Sequence, residues 1–180
     1  MESVIRVIDA INYRVGRTIM WLTVALAIVQ FVVVILRYVF AIGFIPMQES
    51  IWYMNGILFM TGAGFTLLAD GHVRVDVLYR EISHRNRAWV DLIGTLVFLV
   101  PVCLATLYLS WSYVLNSWRV FEGSTETSGI QGIFLLKTFI WVFAFLVVIQ
   151  GIANALRAVR YLRDGHGHYT PAGISGGATG

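Results

Sequence analysis

Histidine and cysteine side chains, which could ligate a metal or exchange disulfides, are few in this sequence. The single cysteine, Cys103, lies in an apolar run, and the four histidines lie outside such runs, at His72, His84, His166 and His168. A membrane haem would need histidines inside the apolar runs as axial ligands, and thiol–disulfide exchange would need a second cysteine. We therefore expect no haem and no disulfide, and we expect Cys103 to be a small buried hydrophobic residue.

His166 and His168 form the one close histidine pair, separated by a single glycine in a glycine-rich stretch. Two ligands on such a stretch are too few for the four-coordinate site that zinc prefers. We expect no metal, no other cofactor and no catalytic residues, so the sequence does not favour an enzyme.

The composition indicates a membrane protein, because 58% of the 180 residues are hydrophobic and only 13% are charged. A soluble domain cannot hide that much apolar surface. The formal charge of +3 would suit a nucleic-acid partner only if the basic residues were clustered on one exposed face. They are spread between apolar runs, so no nucleic-acid partner is expected.

Four apolar segments are long enough to cross a bilayer, whose hydrocarbon core of about 30 Å requires roughly 20 helical residues. Lipid offers the backbone no hydrogen-bond partners, so each span is expected to be helical. The spans are predicted at about residues 18–36, 51–68, 90–115 and 138–156. Tryptophans favour the headgroup region, and all six lie near span ends, at Trp21, Trp52, Trp89, Trp111, Trp118 and Trp141. The sequence therefore predicts an all-α integral membrane protein.

Most of the Lys and Arg residues fall on one side of the predicted spans. They lie before the first span, between the second and third spans, and after the fourth span. The other side holds only Arg37, Arg119 and Lys137. Because positive residues accumulate in cytoplasmic loops, both termini and the middle loop are predicted to be cytoplasmic.

The two ends of the chain differ in pattern. Near the N-terminus, apolar residues repeat at helical spacing, at Val4, Ile5, Val7, Ile8, Ile11 and Val15. This pattern predicts a short amphipathic helix on the membrane surface or against a partner. The far end is rich in glycine and lacks periodicity. We therefore predict a single four-helix transmembrane domain over residues 1–163 and a disordered cytoplasmic tail over residues 164–180.

Polar side chains inside the predicted spans are sparse: Gln30, Asn55, Thr61 and Gln150. A channel or carrier usually places ionisable groups or several polar groups at mid-membrane. Isolated polar residues more often form hydrogen bonds between helices. The spans therefore favour a structural role over a transport path.

Two regions could contact a partner. Small residues at Gly62 and Gly64 would let another helix approach closely, and the next loop alternates polar His72, Arg74 and Asp76 with valines. That loop either docks on a partner or is simply solvated.

Charged residues also gather on the other side of the predicted spans. Glu49, Glu122 and Glu126 either pair with Arg37, Arg119 or Lys137, or they form a docking site for a partner, where exposed charge would raise the rate of association.

Several short patterns appear in a characteristic order. Arg37-Tyr38-Val39-Phe40 closes the first span, Glu49 with Trp52 opens the second, and His72-Val73-Arg74-Val75-Asp76-Val77-Leu78 follows it. Trp118, Glu122 and Ser124 follow the third span, and Leu136-Lys137 and Gln150-Gly151 mark the fourth. From about residue 5 to residue 160, the chain resembles the small membrane subunit (DctQ-like, Q subunit) of the tripartite ATP-independent periplasmic (TRAP) transporters.

The resemblance implies a sodium-coupled secondary transport system of the bacterial inner membrane. A periplasmic binding protein would deliver an organic acid to a large multi-spanning M subunit, which the small subunit braces as a scaffold within the membrane lipid. The subunit-interface candidates are then Arg37, Gly62, Gly64, His72, Arg74, Asp76 and Gln150. The candidates for periplasmic docking are Glu49, Trp52, Arg119, Glu122, Glu126 and Lys137. The alternative is a self-sufficient four-helix channel or carrier.

Overall fold

The computed structural model describes residues 1–72, 82–165 and 169–170. Within these ranges the chain forms four long helices and no strand: α1 (Glu2–Tyr38), α2 (Ile45–Leu68), α3 (His84–Arg119) and α4 (Ile133–Asp164). All four are long and apolar enough to cross a membrane. The predictions of an all-helical protein and of four apolar spans are therefore confirmed.

The helices extend beyond the predicted spans. The segment predicted as a separate amphipathic helix is the first part of α1, which runs without a break from Glu2 to Tyr38. Pro46 lies in the first turn of α2, where the missing N–H would have no partner within the helix. Gly165, at a φ of +66°, ends α4 in the left-handed conformation that glycine adopts without strain.

Helix α3 changes its winding near its middle. It is α-helical over His84–Ile93, π-helical over Gly94–Leu99 and α-helical again over Val100–Arg119. Pro101 follows the π segment, and a proline has no N–H and crowds the carbonyl four residues earlier. The wider π turn accommodates the proline because it shifts the hydrogen-bond register at this point.

The four helices form an open array rather than a closed bundle. Helix α1 packs against α2, α2 packs against α4, and α1 also reaches α4. Helix α3 packs along α4 and, in the part of the chain that the structure describes, makes no extended contact with α1 or α2. Helix α4 is therefore the one helix that joins the other three.

The core of the array lies along α4 and is built from small residues. Gly151 approaches α3 so closely that a Cβ atom there would lie 2.7 Å from Leu99 Cδ2. Cys103 is buried against Ala144 and Val147 of α4, as expected for a small hydrophobic residue. Small side chains allow such close helix packing in membranes, where lipid supplies little hydrophobic driving force.

A buried polar network joins the first part of α1 to α4. Gln150 is fully buried, accepts a hydrogen bond from Asn12 Nδ2 at 2.9 Å and donates to Asp9 Oδ1 at 3.1 Å. Asn154 Oδ1 accepts from both Gln150 (3.3 Å) and Arg157 (2.6 Å), and Arg157 forms an ion pair with Asp9. The bonds that Asp9 and Asn12 make to α4 reach residues more than 130 positions away, so they fix α1 on α4.

The structure describes four positions of the segment that was predicted to be a disordered tail: Asp164, Gly165, Tyr169 and Thr170. Asp164 is the last residue of α4, and Tyr169 is only 5% exposed. The Tyr169 hydroxyl donates to Asp91 Oδ2 at 2.9 Å, and its ring packs on Ala88 and Ala158. An aromatic ring with a polar tip can be buried in this way while its hydroxyl keeps a hydrogen-bond partner. Residues 166–168 and 171–180 lie outside the described residues.

Gly64 of α2 lies where α1, α2 and α4 pack together, with no room for a larger side chain. A Cβ atom there would lie 2.2 Å from Asn12 Oδ1 and 3.0 Å from Leu146 Cβ. We predict that Gly64→Ala lowers the thermal unfolding midpoint of the purified protein. Crowding a packed core costs about 1–3 kcal/mol, which outweighs the roughly 1 kcal/mol gained when alanine replaces a helical glycine.

Gly62→Ala is the matched control on the same helix. Its Cβ atom would meet Ile19 Cδ1 at 3.4 Å, an ordinary contact with the end of a flexible side chain. The control should keep or raise the midpoint. A Gly64→Ala midpoint equal to that of the control would contradict the close packing described here.

Candidate functional site

Glu49, in the first turns of α2, organises the loop between α3 and α4. Its Oε2 accepts a hydrogen bond from the Ile130 backbone N–H at 2.6 Å, and its Oε1 accepts from the Ser124 hydroxyl. The Tyr53 hydroxyl, one turn along α2, donates to the Ile130 carbonyl at 3.1 Å. We call this group of residues, Glu49, Tyr53, Ser124 and Ile130, the Glu49 site. Both oxygens of one carboxylate thus hold two points of the loop.

Gly129 lets the loop approach Glu49. A Cβ atom at Gly129 would lie 2.2 Å from Ser124 Oγ and 2.7 Å from Glu49 Oε1. No larger residue fits this position without moving the carboxylate or the hydroxyl. The loop conformation therefore depends on a glycine as well as on the charge.

A second anchor ties the beginning of the loop to α4. The Lys137 ammonium donates to Glu122 Oε2 at 2.5 Å and lies 4.0 Å from the centroid of the Tyr113 ring. The Lys137 side chain is only 14% exposed. The neighbouring ammonium holds the pKa of the Glu122 carboxyl below its usual range. The pair therefore stays ionised at neutral pH.

Aromatic residues pack together at the C-terminal end of α3, near the Glu122–Lys137 pair. The Trp118 indole donates from Nε1 to Thr138 Oγ1 at 2.8 Å, and its ring meets Phe134 edge-on at a centroid distance of 4.7 Å. Phe121 also packs edge-on against Phe134, at 5.6 Å, and its backbone has a φ of +46°. A phenylalanine rarely adopts this conformation. The chain holds it there because the loop must turn sharply after α3.

The sequence-predicted docking residues divide into two groups. Glu49, Glu122 and Lys137 are engaged within the chain, so the pairing interpretation holds for Glu122 with Lys137. Trp52, Arg119 and Glu126 are exposed beside them, with Trp52 75% exposed. The three engaged residues shape the surface, and the three exposed ones present side chains on it.

The sequence-predicted subunit-interface residues are scattered. Gly64 and Gln150 are buried among helices of this chain, and their burial does not support direct contact with another subunit. Gly62 and the exposed His72 line an apolar groove of about 490 Å³ between α1 and α2. Arg37 is exposed at the end of α1. Arg74 and Asp76 lie outside the described residues.

Sequence reasoning missed the partners of Gln150. The N-terminal segment was predicted to lie on the membrane surface or against a partner, and no bond from Gln150 to Asp9, Asn12 or Asn154 was predicted. A signal was present in α1, whose buried residues Ile5, Asn12 and Gly16 follow each other at spacings of seven and four. That spacing places Asn12 on the inner face of the helix.

Removing the charge of the Glu49 carboxylate tests its hold on the loop. We predict that Glu49→Gln accelerates hydrogen exchange at the Ile130 amide about tenfold or more, because a hydrogen bond to a charged acceptor contributes about 1.5–3 kcal/mol. Exchange measured by mass spectrometry on the loop peptide detects the change. Glu126→Gln is the matched control, since the Glu126 side chain is exposed on the same loop. Equal exchange in the two variants would contradict the role of Glu49.

The Glu122 pair yields a test by titration. Because the folded pKa of Glu122 is lowered, its bond to Lys137 stabilises the loop above the ordinary carboxyl pKa, and this contribution is lost as the pH falls through the lowered pKa. We predict that Lys137→Gln raises the pKa of Glu122 toward its usual range in an NMR titration of labelled glutamate.

Arg119→Gln is the control for that titration. The Arg119 guanidinium is exposed and donates to Asn116 Oδ1 at 3.3 Å, not to Glu122. This variant should leave the pKa of Glu122 unchanged. A Glu122 pKa that is the same in the wild type and in Lys137→Gln would show that the lysine does not hold it down.

The chain was compared with known proteins. A family model described as "Tripartite ATP-independent periplasmic transporters, DctQ component" matches residues 26–161. No curated protein and no solved structure matches the chain. The matched range covers well over half of the sequence and includes the Glu49 site, the Glu122–Lys137 pair and Gln150. The chain therefore belongs to the DctQ family and is a membrane component of a TRAP transporter.

Proposed function

We propose that this chain is the scaffold subunit that braces the large M subunit of a sodium-coupled TRAP transporter for organic acids. A periplasmic binding protein delivers the substrate on the side of the Glu49 site, and both chain termini lie in the cytoplasm of a bacterial cell. Membership of the DctQ family supports association with other transporter components. The sodium coupling, the acid and the identity of each partner are parts of the proposal.

The observation that carries the bracing role is the open arrangement of the helices. Helix α3 is supported by α4 along one side, so its other faces carry large exposed apolar side chains, among them Phe98, Tyr108 and Leu109. In a membrane such faces meet either lipid or the helices of another subunit. With α3 packed along α4, the array offers a larger lateral surface to a partner than a closed bundle of the same four helices.

The polar groups within the array favour bracing over conduction. Gln150 bonds to Asn12, Asp9 and Asn154, and Arg157 bonds to both Asp9 and Asn154. A transport path requires polar groups that can exchange partners with a passing substrate. Here they hold α1 against α4, which suits a rigid support.

The surface beside the Glu49 site suits transient docking of a soluble partner. Trp52, Arg119 and Glu126 combine an exposed aromatic side chain with charges of both signs. Exposed charges at an interface raise the rate of association and select the orientation of the partner. The two anchors beneath them keep the surface in one shape before the partner arrives.

Copurification and flux measurements test the proposal together. A tagged chain, extracted from native membranes in mild detergent, is expected to recover a large multi-spanning protein in near-equal amount by mass spectrometry. Liposomes that hold this chain alone are expected to show no uptake of organic acids. Liposomes that hold both subunits, supplied with the binding protein and a sodium gradient, are expected to show it.

Two results would contradict the proposal. Recovery of the chain alone from native membranes would remove the partner that it is proposed to brace. Substrate flux through liposomes that contain only this chain would favour the self-sufficient channel or carrier.

A further inference from the structure

A polar pocket of about 580 Å³ lies between the beginning of α1 and the end of α4. Three arginines line it, Arg6 from α1 and Arg157 and Arg160 from α4. Glu2 and Asp164 are the acidic residues of the lining. The lining residues carry three positive charges and two negative charges, and Asp9, behind the lining, supplies a third negative charge to Arg157.

Each of the three arginines forms an ion pair that uses only some of its guanidinium N–H donors. Arg160 pairs with Glu2 and lies 3.5 Å from Asp164, and Arg157 pairs with Asp9. Arg6 lies 3.7 Å from Glu2 and its side chain is 77% exposed. A guanidinium has five N–H donors, and these pairs occupy only some of them. Among the described residues, these pairs leave guanidinium N–H groups of Arg6 and Arg160 available to an anion in the pocket.

Aromatic and apolar side chains complete the walls. The Tyr161 and Tyr169 rings lie 5.3 Å apart, and Tyr169 is anchored to Asp91 on α3. Ile5 lines the pocket from α1. This wall is fixed by packing and is amphipathic, as is the glycerol region of a phospholipid.

We propose that this pocket binds the phosphate of an anionic phospholipid headgroup from the adjoining leaflet. The planar guanidinium forms paired hydrogen bonds to phosphate oxygens. Basic pockets between membrane helices are suited to anionic lipid headgroups. This binding site is separate from the proposed bracing role and from the Glu49 site, which lies at the opposite end of α4.

The position of the pocket favours a lipid over free phosphate. Helices α1 and α4 both continue from the pocket into long apolar stretches. A phosphate bound to Arg6 and Arg160 would therefore have helix surface beside it for the attached acyl chains. A free phosphate ion would gain nothing from Ile5 or from the apolar helix faces.

Native mass spectrometry of the full-length chain in detergent tests the proposal, with phosphatidylglycerol as the anionic probe and phosphatidylcholine as the neutral one. The wild type is expected to retain one phosphatidylglycerol in preference to phosphatidylcholine. Arg6→Gln should weaken that retention about fivefold, the effect expected for one basic residue beside an anionic lipid. Arg14→Gln, an exposed arginine of α1 outside the pocket, is the matched control and should not change it.

Glu2→Gln distinguishes binding from a merely structural role. It removes a negative charge from the pocket and releases Arg160, so it should strengthen phosphatidylglycerol retention, whereas a structural disturbance would weaken it. Three results would overturn the proposal: equal retention of the two lipids, equal effects of Arg6→Gln and Arg14→Gln, or displacement of phosphatidylglycerol by an equal concentration of inorganic phosphate.

Discussion

The buried amide of Gln150 is the interaction on which the arrangement of the helices depends. A polar group in a low-dielectric interior is costly unless each donor and acceptor is satisfied. Gln150 satisfies this condition with Asn12, Asp9 and Asn154, and so it bonds across the contact between α1 and α4. Apolar helix faces can slide past one another in lipid, but these bonds select one position of α1 along α4.

The rest of the molecule follows from α4 as the common support. The small buried residues of α4 allow α3 to pack closely against it. On the side of α4 that faces α2, Gly64 packs against Leu146 and Asn12. At one end, the start of α1 and the end of α4 form the polar pocket that three arginines line. At the other end, Lys137 and Glu49 hold the loop before α4 in a single shape. One helix thus connects both candidate binding surfaces.

The sequence was sufficient to predict the four helices because lipid imposes length, apolar composition and internal hydrogen bonding on each span. It did not predict which faces meet, since hydropathy does not distinguish a lipid-facing leucine from a buried one. The bond between Asn12 and Gln150 joins residues separated by 138 positions, and the first half of that pair lies before the range that the family model matches. The pairing of Glu122 with Lys137 was among the predicted alternatives because both charges lie on the same side of the predicted spans.

If this chain is a rigid brace, its helices keep fixed separations during transport, and distances between spin labels measure those separations. Labels at positions 4 and 163, in a Cys103→Ala background, report the separation between the start of α1 and the end of α4. In liposomes that hold the working transporter, we expect one narrow distance distribution that does not change when substrate, binding protein and a sodium gradient are added. A second distance, or a shift during transport, would contradict it.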